Sequence, residues 1–229
     1  GDLERASAIV GLAAARHLNA GELGTVRRWL DALPAHVVRE HAQLSAAFAW
    51  VLLLAGETDG VAGRLADAER ALGDDRAGDR DLSPTIPSQL AMLRSQLAGL
   101  QGEPGAAVAQ ARVACDLVPE GLPAEIEATL RGTARSLLGV ALVRAGDLDA
   151  AAEAYEAALP DLRAAGVAIA TGRTIGDLAA IDIAQGDPGR ALRRCEAELA
   201  REAGNPTAPA NPALWAATAR ALAELGQAD

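Results

Sequence analysis

The chain alternates long apolar-rich segments with one recurring turn signature. Each time, an apolar segment ends in glycine, an acidic or amide residue follows, and a new amphipathic segment begins. A glycine here ends a helix by taking the left-handed conformation, and an acidic residue favours the positive end of the next helix dipole. The signature glycines are Gly21, Gly56, Gly102, Gly146, Gly186 and Gly226.

These glycines are separated by 35, 46, 44, 40 and 40 residues, which predicts a repeat architecture. Each period would hold a helix A before the glycine and a helix B after it, and such a short turn makes the pair antiparallel. Helices are predicted at 3–19, 22–33, 41–55, 58–72, 85–101, 104–118, 124–145, 147–165, 168–185, 187–203 and 212–225.

An array of such helix pairs buries one continuous core. We therefore expect an all-α fold, a right-handed superhelical solenoid of about 11 helices in a single domain over residues 1–229. Residues 73–84 and 204–212 are rich in turn formers, which indicates loops between repeats. The chain starts at Gly1 and its last period lacks helix B, so we expect a fragment of a longer protein. The predicted periods are 1–40, 41–84, 85–123, 124–166, 167–210 and a partial 211–229.

Composition supports closely packed helices and excludes several activities. Alanine supplies 56 of 229 residues and aromatic residues only 2%, which argues against a β-sandwich or barrel. The chain has no lysine, which excludes a Walker A phosphate loop and lysine-based catalysis. The net charge of −10, without a basic stripe, predicts no direct contact with nucleic acid.

The residues that could bind metal or act as nucleophiles are few and scattered. His17, His36 and His41 lack the spacing of a helical metal pair, and Cys115 and Cys195 lie 80 residues apart, as expected for buried thiols. No apolar run is long enough to span a membrane and no signal peptide is evident, so a cytoplasmic protein is expected.

Carboxylates are abundant, but they share helix faces with arginines, which favours solvated surfaces over paired acid–base chemistry. Examples are Glu153 with Glu156 and Glu196 with Glu198, and the arginines on such faces include Arg193 and Arg194. No nucleophile, zinc-protease or dinucleotide-binding motif occurs. We therefore expect neither enzymatic activity nor a cofactor in this chain.

The fourth period resembles a tetratricopeptide repeat. It carries Leu138-Gly139, Ala141, Gly146-Asp147, Ala151, Tyr155 and Ala158-Leu159. The resemblance implies that the small residues at 139, 151 and 158 lie where helices A and B cross. Alignment of the other periods places Ala14, Ala49, Ser95, Ala179 and Ala219 at the first small position, and Val26, Val61, Ala107 and Ala191 at the second.

A second resemblance lies near the start of the chain. Trp29-Leu30-Asp31-Ala32-Leu33-Pro34 is followed by Leu44 and by Ala49-Trp50 ahead of Gly56. This resembles the start of the helical-repeat region of MalT-like regulators, the large ATP-dependent LuxR-type transcription activators. The resemblance implies an ATPase domain before the repeats, a helix-turn-helix DNA-binding domain after them, and an inducer that binds the repeats.

Function in a helical-repeat fold is expected to be binding, on the groove that helices A line. Trp50 could stack on a planar or sugar ligand there or pack in the core, and both interpretations stay open. The polar candidates for ligand contact are the residues that interrupt the otherwise Ala/Leu surface of helices A. The candidate ligand-binding residues are Trp50, Gln43, Gln89, Gln96, Ser136, Arg173, Asp177 and Arg220.

The leading hypothesis is a sensor domain that binds a small-molecule inducer or a regulatory protein and biases a nucleotide-dependent switch elsewhere in the full-length protein. The alternative is a protein–protein interaction scaffold that clamps a peptide. An enzyme is the remote third possibility. A closed pocket would favour the first hypothesis, and an open ribbon-like groove the second.

Overall fold

The computed structural model describes residues 2–73, 83–204 and 211–226. Over these ranges the protein is all-α, with twelve α-helices, two 3-10 turns and no strand. The helices are α1 (Asp2–Asn19), α2 (Leu23–Ala32), α3 (Ala35–Glu40), α4 (Ala42–Leu54), α5 (Val61–Gly73), α6 (Ile86–Leu100), α7 (Pro104–Asp116), α8 (Ala124–Ala145), α9 (Leu148–Ala164), α10 (Ala168–Ala184), α11 (Pro188–Ala203) and α12 (Pro212–Glu224).

The all-α prediction is confirmed, and each of the eleven predicted helices is present within a few residues of its predicted bounds. The predicted number is too low by one, because α3 falls where the sequence pattern indicates a connection. Pro34 precedes this helix, and Val37 and Val38 on it are buried. Six residues are too few to show a helical period, which explains the omission. The superhelix and its hand stay predictions, and the loop segments lie mostly outside the described residues.

The predicted glycine turns are present at all six positions. Each signature glycine has a positive φ, between 67° and 84°. At the five turns before Gly226, the residue after the glycine donates its N–H to the carbonyl five residues earlier, as from Asp147 to Leu142 at 3.0 Å and from Asp187 to Asp182 at 2.9 Å. This is the Schellman arrangement, which satisfies carbonyls that the helix end would otherwise leave unpaired.

The acidic residue after the glycine has two different roles. The Asp147 carboxylate accepts from the N–H of Ala150, and the Asp187 carboxylate accepts from that of Arg190, so both cap a helix. Glu57 and Glu103, one methylene longer, make no such cap. Glu57 pairs instead with Arg27, which lowers the pKa of the carboxyl and raises that of the guanidinium.

Small residues lie at the helix crossings, as the repeat alignment predicts. The Ser95 hydroxyl on α6 donates to the carbonyl of Ala107 on α7 at 2.8 Å and so joins the two small positions of one period. In the fourth period a Cβ on Gly139 would lie 2.5 Å from the ring of Tyr155. The ring therefore occupies space that any other residue at 139 would fill. Ala219 on α12 differs from its counterparts because it is exposed.

The chain divides into two compact units, residues 1–121 and residues 122–229. This division does not test the prediction of a single repeat domain, which stays a prediction. Within each unit every helix A before α12 packs against the helix B that follows it, and α12 packs against α10 and α11. No helix of the described ranges is long and apolar enough to cross a membrane.

The first unit holds α1 to α7 around two neighbouring apolar clusters. One is centred on Leu30, Leu44 and Val51, and the other on Leu65, Leu90 and Leu93. Phe48 packs against both clusters. The guanidinium of Arg64 covers its ring at 4.4 Å from the centroid, a favourable cation–π geometry.

The second unit holds α8 to α12 and combines apolar packing with buried ion pairs. Asp182 on α10 is 2% exposed. Its two oxygens each lie 2.7 Å from the Nε of an arginine on α11, Arg190 and Arg194. Arg194 also reaches Glu156 on α9 at 2.7 Å. These contacts join three consecutive helices through one buried carboxylate.

A matched pair of glycine substitutions tests the turn. Gly146→Ala should lower the free energy of unfolding by about 1–2 kcal/mol, because alanine resists the left-handed φ of 84°. Gly63 lies exposed in α5, with no atom within 4 Å of the place that a Cβ would take. Gly63→Ala should therefore raise the same quantity by about 0.5–1 kcal/mol.

Urea unfolding of both variants measures the two effects. Equal effects of the two substitutions would contradict this account of the turn.

Candidate functional site

Four of the predicted site residues lie in the first unit, and they do not form one site there. Gln43 is buried beside Gly11, and its Oε1 has no hydrogen-bond partner. Trp50 is half-buried against the second apolar cluster. Gln89 donates to the hydroxyl of Thr85 at 2.9 Å. Gln96 is half-buried, and its Nε2 is buried without a partner.

The other four lie in the second unit, and three of them meet. Ser136 is fully buried, and its hydroxyl lies 2.9 Å from that of Thr174, so it packs between helices and does not face a groove. Arg173, Asp177 and Arg220 line one groove of about 230 Å³, which we call the α10–α12 groove. Its lining consists of Arg173, Gly176, Asp177, Ala180, Ile183, Ala213, Ala216, Ala217 and Arg220.

The groove exists because Gly172 lets the start of α12 approach α10. The Asn211 side chain occupies the place where a Cβ of Gly172 would be, and it donates to the carbonyl of Ala168 at 3.0 Å. One turn further, a Cβ on Gly176 would lie 3.4 Å from the carbonyl oxygen of Ala213. Asn211 precedes α12 directly, so this contact positions the start of that helix.

Helical spacing then determines what the groove presents. Arg173, Asp177 and Ala180 are four and three residues apart on α10, so they share one face. Ala213, Ala217 and Arg220 share a face of α12 for the same reason. The result is a floor of small and apolar side chains with an arginine from each helix and one carboxylate.

Asp177 lies in a half-buried environment with a phenol beside it. Burial raises the pKa of the Asp177 carboxyl, although the charge of Arg173 and a hydrogen bond from Tyr155 oppose that change. Burial likewise raises the pKa of Tyr155, and Asp177 raises it further. The sequence identifies Tyr155 only as a repeat residue, yet in the structure it connects the Gly139 crossing with the groove.

The arginines of the groove differ from most others in the second unit. Within the described residues, neither Arg173 nor Arg220 has a carboxylate within 4.0 Å, and the buried Nε of Arg173 has no hydrogen-bond partner. Arg144 also lacks such a partner, and it lies near enough to Tyr155 to lower the pKa of that phenol. The paired arginines are Arg131, Arg135, Arg163, Arg190, Arg194 and Arg201.

Two carboxylates expected on solvated faces have structural roles. Glu198 is 5% exposed, because it packs on the inner side of α11 and pairs with Arg163 at 2.7 Å. That expectation was therefore wrong for Glu198. Glu156 is exposed, but Arg194 joins it to the buried Asp182. For Arg194, burial alone would lower the pKa, and the pairing with Glu156 and Asp182 raises it.

A larger hollow lies in the first unit, at the turn between α4 and α5. It measures about 360 Å³ and is lined by Leu52 and by the turn residues 56–60. Its charged members are acidic, and Glu57 is already paired with Arg27. It brings together no predicted site residue, so the α10–α12 groove is the better candidate.

The remaining metal-ligating, thiol and aromatic side chains do not form a second candidate site among the described residues. No group of three or more His, Cys, Asp and Glu that could hold a metal occurs among the described residues. Cys195 is buried, which raises the pKa of its thiol. Trp29 is half-buried, with the His17 ring edge-on at 4.7 Å, and Trp215 is 58% exposed.

No protein-family model matches the chain, and no curated protein matches it either. The interpretation of the groove therefore depends on its own geometry.

Two aspartates on α10 provide a test of which carboxylate is structural. Asp177→Asn should leave the free energy of unfolding at pH 7 unchanged or raised, because burial penalises the charged form and asparagine removes that penalty. The Asp177 carboxyl is charged only above its raised pKa, so burial destabilises the wild-type protein only there. The difference in free energy of unfolding between Asp177→Asn and wild type should therefore disappear as the pH falls into the acid range.

Asp182→Asn is the matched comparison. It should lower the free energy of unfolding at pH 7 by about 3 kcal/mol, because two arginines lose their buried anion. Urea titrations at several pH values measure both effects, and a larger loss for Asp177→Asn than for Asp182→Asn would refute this division of roles.

Proposed function

We propose that this chain is a ligand-sensing helical-repeat module of the type found in MalT-like transcription regulators. The observation that carries the proposal is the α10–α12 groove. Three polar residues that the sequence predicts on helices A line it together, and they come from two successive periods. A small apolar recess with a few convergent polar groups is the usual form of a small-ligand site.

The size of the groove favours a small molecule. Its volume of about 230 Å³ is below the roughly 300–1,000 Å³ that drug-sized ligands occupy, so it suits a compact metabolite. This small volume supports an inducer as the occupant of the groove, whereas its open side is the feature that favours a clamped peptide.

The Trp-Leu motif supports the family resemblance through its structural role. Leu30 is buried in the first cluster, Leu33 packs against it, and Leu44 is buried on α4. Pro34 separates α2 from α3, and the short α3 leads directly into α4. The motif thus marks a specific three-helix arrangement at the start of the repeats, with each of its leucines used in packing.

The groove also offers a way for a bound molecule to act on the rest of a regulator. A ligand that contacts both arginines would favour one spacing of α10 and α12, because it binds that spacing better than others. In a sensor the same preference shifts the balance between resting and active states of a distant nucleotide switch. ATP hydrolysis and DNA binding would belong to other domains of the full-length protein.

The alternative function, a protein-interaction scaffold, has one observation of its own. The side chain of Trp215 on α12 is 58% exposed, and Leu225 beyond the same helix is 37% exposed. Exposed tryptophan is enriched at protein interfaces. On this alternative a protein partner covers α12, and Trp215→Ala would abolish its binding while small-molecule binding stays intact.

The complete coding sequence provides the most direct test of the family proposal. We expect a Walker A motif before the repeats and a helix-turn-helix with a basic recognition helix after them. In that full-length protein, Arg220→Ala should abolish inducer-dependent transcription without changing the basal level, as measured with a reporter gene.

A coding sequence that lacks both flanking modules would refute the MalT-like assignment. Full inducer response in the Arg220→Ala protein would show that the α10–α12 groove is not the sensing site.

A further inference from the structure

The residues that line the α10–α12 groove carry a net positive charge. Arg173 and Arg220 are the cations of the lining, and Asp177 is its one anion. Neither arginine has a carboxylate within 4.0 Å among the described residues. This occurs in a chain whose net charge is −10, where acidic partners are abundant.

An anion would stabilise this arrangement. Two guanidinium groups that line one groove without a carboxylate partner repel each other. A carboxylate bound between them removes this repulsion, because it accepts charge-assisted hydrogen bonds from guanidinium N–H groups.

Asp177 restricts which anion fits. A dianionic phosphate would meet the Asp177 carboxylate, whereas a monocarboxylate leaves the groove close to neutral. The same Asp177 carboxylate can accept a hydrogen bond from a hydroxyl or ammonium group of the ligand. Ala180, Ile183 and Ala217 then provide apolar contact for an aliphatic tail.

We propose that the α10–α12 groove binds a small aliphatic monocarboxylate that also carries a hydrogen-bond donor next to the carboxylate. Arg173 and Arg220 hold the carboxylate, and Asp177 accepts from the donor. The inference rests on the proposed function only in taking this groove as the sensing site, and it names the chemical class of the ligand.

Isothermal titration of the 229-residue chain with 2-hydroxyisocaproate tests the proposal. Its neutral amide, its analogue without the hydroxyl, and inorganic phosphate are the comparison probes. We expect the hydroxy acid to bind at least about tenfold more tightly than any of the three, because each comparison removes or misplaces one charge-assisted contact.

Variants locate the binding. Arg220→Ala should weaken binding of the hydroxy acid about tenfold or more, and so should Arg173→Ala. Arg193→Ala is the matched control, because Arg193 is exposed on α11, has no carboxylate within 4.0 Å among the described residues, and lies outside the groove. It should change the affinity by less than about twofold. Asp177→Ala should abolish the preference for the hydroxyl, because alanine has no side-chain acceptor.

Several results would overturn the inference. These are equal binding of the acid and its amide, tighter binding of phosphate, an Arg193→Ala effect as large as that of Arg220→Ala, or no heat of binding for any carboxylate. Arg220 is exposed, so its variant remains informative if Arg173→Ala fails to fold, which circular dichroism reports.

The outcomes separate this inference from the proposed function. If the chain binds the carboxylate but its coding sequence lacks ATPase and DNA-binding domains, the ligand site is supported and the proposed regulator function is refuted. If the flanking domains are present but the chain does not bind the carboxylate, the proposed regulator function is supported and the proposed ligand class is refuted.

Discussion

Close crossing of two helices within a period is the constraint on which the rest of this structure depends. Helices approach closely only where the residues at the contact are small, and in the fourth period Gly139 is that residue. The Tyr155 ring lies across α8 there, fully buried, and its phenol interacts with Asp177 on α10. A structural glycine on α8 thus determines the environment of a carboxylate in the candidate site.

The same principle creates the α10–α12 groove. Gly172 allows the start of α12 to lie close to α10, and Asn211 secures the contact through the Ala168 carbonyl. The buried pairing of Asp182 with two arginines holds α10 against α11 on the other side. Helix α10 is therefore fixed by packing and ion pairs, and its remaining face carries Arg173 and Asp177.

Local sequence signals were sufficient for most of the fold. Left-handed glycine turns depend on one residue and a few neighbours, so the period and eleven helices could be predicted. The α3 helix could not, because six residues show no period and burial of Val37 and Val38 stabilises it. Buried ion pairs such as Glu198 with Arg163 join residues 35 apart and leave no local signal.

The candidate site was predictable only in part, for the same reason. Helical spacing predicts that Arg173 and Asp177 share a face, and repeat alignment adds Arg220. The contribution of Tyr155, the lack of a partner for the Arg173 Nε, and the burial of Ser136 depend on how neighbouring helices pack. These features depend on contacts between helices of different periods, which the sequence pattern of a single period does not predict.

Chemical-shift mapping with 2-hydroxyisocaproate tests the central claim, that the last two helices A, α10 and α12, form the ligand site. The account predicts that the methyl signals of Ala180, Ile183 and Ala217 move together with one binding curve, while those of residues 2–73 stay in place. The largest changes at the Leu52 hollow of the first unit, or no saturable change at α10 and α12, would contradict it.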